Sequence, residues 1–227
     1  MTMIADNLQS IHARIAQACA HSARAPATVA LLAVSKTFGA DAIVRAHAAG
    51  QTAFGENYIQ EAVEKITALA HMPLEWHCIG PIQSNKTRLV AEHFHWAHTV
   101  DRLKIAQRLS EQRPAHLPPL QVCIQVNVDG GPNKSGVAPV DALALARAVA
   151  VLPRLRVRGL MCIPEPAPDF VAACAVFARA RAIFDQMNSA GMALDTLSMG
   201  MSADLEAAIA SGSTMVRVGS AIFGTRG

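Results

Sequence analysis

TVALLAVSKTFGADAIVRAHAAG, residues 28–50, contains one complete unit of the fold. Residues 28–36 are β-branched and apolar and do not alternate with polar residues, the pattern of a strand buried on both faces. Residues 41–50 follow as a helix, with Gly50 placed to end it. A doubly buried strand that runs straight into a helix is the repeating element of a parallel α/β sheet.

The same rhythm continues along the chain. Strands are expected over 52–57, 74–80, 95–100, 120–128, 155–163, 195–200 and 214–224. Helices are expected over 58–69, 85–93, 102–112, 139–152, 170–191 and 203–212, with another over 3–22 ahead of the first strand. In the segment 58–69, Ile59, Val63, Ile66 and Leu69 recur at helical spacing. Strict βα alternation implies parallel strands joined by right-handed crossovers. Eight short strands in this length predict an α/β fold, a single (β/α)8 TIM barrel with an extra N-terminal helix. An open doubly wound sheet is the alternative. No linker or shift in composition marks a second domain. The chain therefore reads as one domain over 1–227, with the N-terminal helix and linker at 1–27 and the barrel at 28–227.

Composition excludes several functions. The formal charge is +3 and aromatics make up 4% of the 227 residues. No basic block accompanies them, so nucleic acid is not expected as a partner. Asp6 and Arg14 interrupt the first twenty residues, which read as neither a signal peptide nor a membrane span. The five cysteines (Cys19, Cys78, Cys123, Cys162 and Cys174) include no CxxC pair. They read as buried free thiols in a reducing, cytoplasmic setting.

Barrel active sites form at the C-terminal ends of the strands. Polar and glycine residues collect there: Lys36; Gly55, Glu56 and Asn57; His77, then Gln83, Asn85 and Lys86; Asn127 and the loop that carries Lys134; Met161; Ser198, Met199, Gly200 and Ser202; Arg217, Gly219 and Ser220. A lysine at a strand end is ordinarily solvated, but a desolvated one is a neutral nucleophile suited to a Schiff base. Ser202 ahead of the helix at 203–212 reads as an N-cap, and the same turn suits an anion. Gly219 and Ser220 fall after strand eight, and the loops after strands seven and eight are the recurrent phosphate site of this fold. Arg217 would point into the barrel mouth, where a structural ion pair is the ordinary use of a buried arginine. A Schiff-base lysine across the mouth from a phosphate site matches the two ends of pyridoxal 5′-phosphate (PLP). No nucleotide-binding glycine loop is present. His93, His95 and His98 do not share a helix face, so no metal site is expected. His77 and Cys78 are strand neighbours pointing to opposite faces, which excludes a catalytic pair.

AVSKTF, FGENYIQEAVEK, WHCIGPIQSNK, VNVDGGPNKSG and LSMGMSADLEAAIASGSTMVRVGSAIFG together resemble the pyridoxal phosphate homeostasis protein family, of YggS/PROSC type. The resemblance runs from about residue 28 to 224. It implies a fold-type III PLP barrel similar to the N-terminal domain of alanine racemase, with Lys36 as the Schiff-base lysine. Arg217 would meet the pyridine nitrogen and Gly219 the phosphate. Ser202 with Ser220 would complete the phosphate shell, Asn57 and His77 would face the cofactor, and Ser198 and Met199 are further expected cofactor-binding positions.

A permanent cation at the ring nitrogen weakens the ring as an electron sink. Racemisation would also need a second base. In racemases resembling this domain that tyrosine comes from a further domain, for which the chain ending at Gly227 has no room. Tyr58, the only tyrosine, reads as a packing residue in the first turn of a helix. The expectation is a monomeric, non-catalytic PLP-binding protein of vitamin B6 homeostasis that passes PLP to apo-enzymes. Lys86 and Lys134 are ordinary surface lysines or aids to anion capture. A PLP-dependent amino-acid racemase or related fold-type III enzyme is the alternative.

Overall fold

The structure is a computed structural model, and it describes residues 3–131 and 135–224. Eight parallel strands close into a barrel in sequence order: β1 Ala30–Val34, β2 Ala53–Glu56, β3 Glu75–Cys78, β4 Trp96–Val100, β5 Leu120–Gln125, β6 Leu155–Met161, β7 Thr196–Ser198 and β8 Met215–Val218. The closing pair is β1 with β8, where Leu32 is in register with Arg217. The expected barrel is the fold observed.

Helix α1 is Met3–His21. Then come α2 Ala40–Ala48, α3 Ile59–Ala68, α4 Thr87–His93, α5 Leu103–Gln112, α6 Ala142–Ala150, α7 Phe170–Ser189, α8 Leu205–Ala210 and α9 Ser220–Phe223. The helix following β8 is thus only one turn long. Helix α1 buries Ile4, Leu8, Ile11, Ile15 and Cys19 along one stripe. It packs against α8, α9 and α2, and so takes the eighth place in the outer ring. Arg14 on α1 forks onto Glu206 of α8 at 2.9 and 3.0 Å. Among the described residues, no helix is long and apolar enough to cross a membrane.

Alternation along the strands separates two cores. Leu31 and Ala33 of β1 join the large cluster between strands and helices, whereas Leu32 and Val34 join a small one inside the barrel with Ile79 and Met215. A second interior cluster holds Trp96, Cys123 and Met161. The rest of the interior includes His77, His98, Ser198 and Arg217, all buried.

Three expectations require correction. The last strand was expected to reach residue 224, but β8 ends at Val218 and the apolar residues Ile222 and Phe223 belong to α9. A short apolar run does not distinguish strand from helix. The helix expected over 203–212 spans only Leu205–Ala210, and Asp204 rather than Ser202 precedes it. Asp204 Oδ1 accepts from Met201 N–H at 2.6 Å, which ties the turn ahead of the helix. Tyr58 is not in a first turn; it caps α3 and is half exposed.

Candidate functional site

Beyond Val34, the alternation of β1 continues through two more residues, so that Lys36 enters the barrel mouth while Ser35 points away from it. Lys36 lines a cavity of about 690 Å3 together with Val34, Phe38, Asn57, Ile79 and Arg217. Ser202, Gly219 and Ser220 also line it. Six of the nine expected site residues therefore meet around one space.

Behind Lys36 lies a polar clamp. Ser35 Oγ donates to Glu56 Oε1 at 2.7 Å, and Lys65 Nζ donates to the Ser35 carbonyl at 2.9 Å. Lys65 is 2.8 Å from Glu56 Oε1 and 2.6 Å from Glu61 Oε1. Glu61 Oε1 also accepts from Thr37 N–H at 2.7 Å. Both neighbours of Lys36 are thus pinned. The pinning holds Thr37 at φ 67°, a left-handed conformation that a β-branched residue rarely adopts. Desolvation pushes the Glu56 carboxyl upward, opposed by Lys65.

Arg217 rises from β8 into the same cavity and is 4% exposed. The alternative of a structural ion pair is not what forms: among the described residues its hydrogen-bond partners are two neutral oxygens. NH1 donates to Ser198 Oγ at 2.8 Å and NH2 to the Cys162 carbonyl at 3.0 Å. Desolvation lowers its pKa from the usual guanidinium value. A buried cation with no anion in contact among the described residues, lining a cavity, favours an electron-rich ligand.

The remaining three expected site residues do not line the cavity. Met199 is buried in the outer core. Ser198 lies beneath the cavity against Arg217 and His98. His77 lies deeper still, between Glu75 and His98. Nor do Lys36 and the turns at Ser202 and Gly219 face each other across the mouth. The strand closure sets β1 beside β8, and the lysine and those turns are side by side. Lys134 lies outside the described residues. Among the described residues no cluster of three or more potential metal ligands occurs.

Glu61, Lys65 and Glu75 were not read as site-forming from sequence. Glu56 was placed on the rim with Asn57, although alternation sends it to the opposite face. That period was the available signal. Lys65 gave none, because a lysine in a helix reads as solvated.

A closed parallel barrel with an amine just beyond its first strand and a buried guanidinium on its last falls in the class of the alanine racemase N-terminal domain, whose family model matches residues 7–227. Within that class, the chain belongs to the pyridoxal phosphate homeostasis protein family. It is 62% identical over 226 residues to the pyridoxal phosphate homeostasis protein of Pseudomonas aeruginosa, covering 100% of this chain and 97% of that one. The protein of the same name in Escherichia coli is 53% identical over 229 residues, covering 100% of this chain and 98% of that one. The structure of PipY from Synechococcus elongatus with PLP bound is 38% identical with a TM-score of 0.85, covering 97% of this chain and 100% of that one. An alanine racemase of Clostridium difficile shares the fold at a TM-score of 0.73 and 16% identity, covering 97% of this chain and 57% of that one.

Proposed function

We propose that this protein binds PLP in the cavity at the barrel mouth, holds it as a Schiff base on Lys36, and serves intracellular PLP homeostasis as a carrier without catalytic turnover. The observation that carries the reading is that Lys36 and Arg217 line one cavity, with Ser202, Gly219 and Ser220 beside them.

The residues fit the group. Arg217 is a buried cation whose partners are neutral oxygens. Asn57 also lines the cavity, and its side-chain Oδ1 is buried without a partner among the described residues. Gly219 leaves room: a Cβ there would stand 3.1 Å from the Val34 carbonyl, on the strand that presents Lys36. The bound PLP of the PipY structure supports the same assignment.

When bound, PLP supplies an aldehyde open to amine attack and an electron-accepting ring. Lys36 supplies the amine, aimed by the clamp on Ser35 and Thr37. Arg217 is assigned to the pyridine nitrogen; as a permanent cation it keeps that nitrogen unprotonated. Ser202, Gly219 and Ser220 are assigned to the phosphate, which their hydroxyls and the free N–H groups of the first turn of α9 suit. His77 and Met199 do not line the cavity and are not assigned to the cofactor.

Holding without turnover is supported by the cavity wall. Among the described lining residues, Lys36 is the one whose side chain can take a proton from carbon. Tyr58 stands outside that wall. The carrier acts as a monomer in the cytoplasm and delivers PLP to apo-enzymes. Free thiols at all five cysteines agree with a reducing compartment.

Incubation with L-alanine in deuterated water tests the carrier reading. The expected result is Cα–H exchange no faster than with free PLP at the same concentration. Rapid exchange with loss of optical purity would overturn it in favour of a racemase.

A further inference from the structure

A line of hydrogen bonds crosses the barrel interior from the N-terminal end of β3 to the cavity. Glu75 Oε1 is 2.7 Å from His77 Nε2. His77 Nδ1 is 2.9 Å from His98 Nε2, and His98 Nδ1 is 3.0 Å from Ser198 Oγ. Ser198 Oγ then accepts from Arg217 NH1 at 2.8 Å. Glu75 has its side chain half exposed, while His77, His98 and Ser198 are fully buried.

We infer that Glu75 sets the proton order of this chain, and that Glu75, His77, His98 and Ser198 are positioning residues for the guanidinium of Arg217. Its bearing on the cofactor rests on the assignment of Arg217 proposed above; the proton order itself does not.

The order follows from donor and acceptor rules. Hydrogen bonding from His77 lowers the Glu75 pKa, so the carboxylate is ionised at neutral pH and only accepts. Burial disfavours charge on both imidazoles, so each carries one proton. His77 Nε2 must therefore be the donor to Glu75, which leaves Nδ1 an acceptor. His98 must then donate from Nε2, which leaves its own Nδ1 an acceptor. Ser198 fills that acceptor with its hydroxyl proton and turns its lone pairs to Arg217. Every proton in the line points from Arg217 toward Glu75. The opposite order would set the His77 Nε2 lone pair against a carboxylate at 2.7 Å. It would also have the Ser198 oxygen accept from both His98 and Arg217, leaving its hydroxyl proton no acceptor in the line.

The geometry is held from the sides. Trp96 stacks on His77 at 5.2 Å with planes 10° apart, and Arg158 lies over Trp96 at 4.8 Å. Among the described residues, Arg217 has one other acceptor, the Cys162 carbonyl. Freeing Ser198 to rotate would remove half of what fixes a cation aimed into the cavity.

The test uses long-range proton–nitrogen NMR of the full chain labelled at histidine, without PLP. Wild type is expected to show His77 and His98 as neutral imidazoles protonated at Nε2. Glu75→Leu removes the acceptor at a half-exposed position and is expected to scramble the two tautomers while the amide spectrum stays folded. In PLP-loaded protein, both Glu75→Leu and Ser198→Ala are expected to release PLP faster, by about three- to tenfold, the effect of losing one hydrogen bond. A wild-type His98 protonated at Nδ1 overturns the inference even if no variant folds. So does an unchanged tautomer in folded Glu75→Leu. Failure of wild type to bind PLP would instead overturn the proposed function and leave the NMR result standing.

Discussion

Lys65 Nζ donates to the carbonyl of Ser35 at 2.9 Å, one residue before Lys36. The same ammonium neutralises the buried Glu56 carboxylate at 2.8 Å. A residue on α3 thereby fixes the backbone from which the cavity lysine is presented. Lys65→Ala would leave a carboxylate buried and unpaired, at a cost of about 3–5 kcal/mol. Urea denaturation should show that loss, together with weaker PLP retention. A stability change below about 1 kcal/mol, the size of an exposed ion pair, would contradict the clamp.

Gly80 closes the turn after β3 against Asn57. A Cβ at Gly80 would lie 2.1 Å from the Asn57 carbonyl oxygen, a backbone atom that cannot step aside cheaply. Gly80→Ala should cost about 2–3 kcal/mol as the two segments are forced apart. It should also loosen PLP binding, because Asn57 lines the cavity. Thermal unfolding and a PLP titration check the two effects. Full retention of both would refute the close approach.

Buried histidines make stability depend on pH. Burial lowers the pKa values of His77, His95 and His98 from the ordinary 6.5. The unfolded chain therefore takes up protons that the folded chain does not as pH falls through 6.5, and stability falls with it. Glu56 opposes this nearer its own titration, since its raised pKa makes the folded chain bind a proton first. The free energy of unfolding should be lower by about 1–3 kcal/mol at about pH 5.5 than at about pH 7.5. His98→Gln should flatten the slope. A stability that rises on acidification over that range would contradict the neutral buried state.

The thiols should be inert. Burial pushes Cys78, Cys123 and Cys162 up to about 12, so almost no thiolate forms at neutral pH. An aromatic disulfide reagent should find these three unreactive in native protein and all five cysteines reactive in denaturant. Rapid native modification of Cys123 or Cys162, located by peptide mass, would contradict the closed interior.

Much of this molecule was legible in its sequence because doubly buried strands have their own signature. The run at 28–36 and its counterparts gave all eight strands, and with them the rim on which Lys36, Asn57 and Arg217 sit. The side-by-side arrangement of Lys36 and the phosphate-suited turns was not legible. It depends on which strands close the barrel, and no local pattern encodes that pairing. The length of α8 was hidden because Ser202, Asp204 and Glu206 all suit a first turn. His98 was read only as a failed metal ligand. Its partner Ser198 is a hundred residues away, and only the barrel brings the two side chains within 3.0 Å.

Lys36 is the amine proposed to hold PLP. The most direct test loads the protein with a single equivalent of PLP, reduces it with borohydride and maps the fixed label by peptide mass. The predicted result is one label on the peptide containing Lys36, absent from that peptide's counterpart in Lys36→Ala. Label spread over surface lysines with none favoured at Lys36 would contradict the claim.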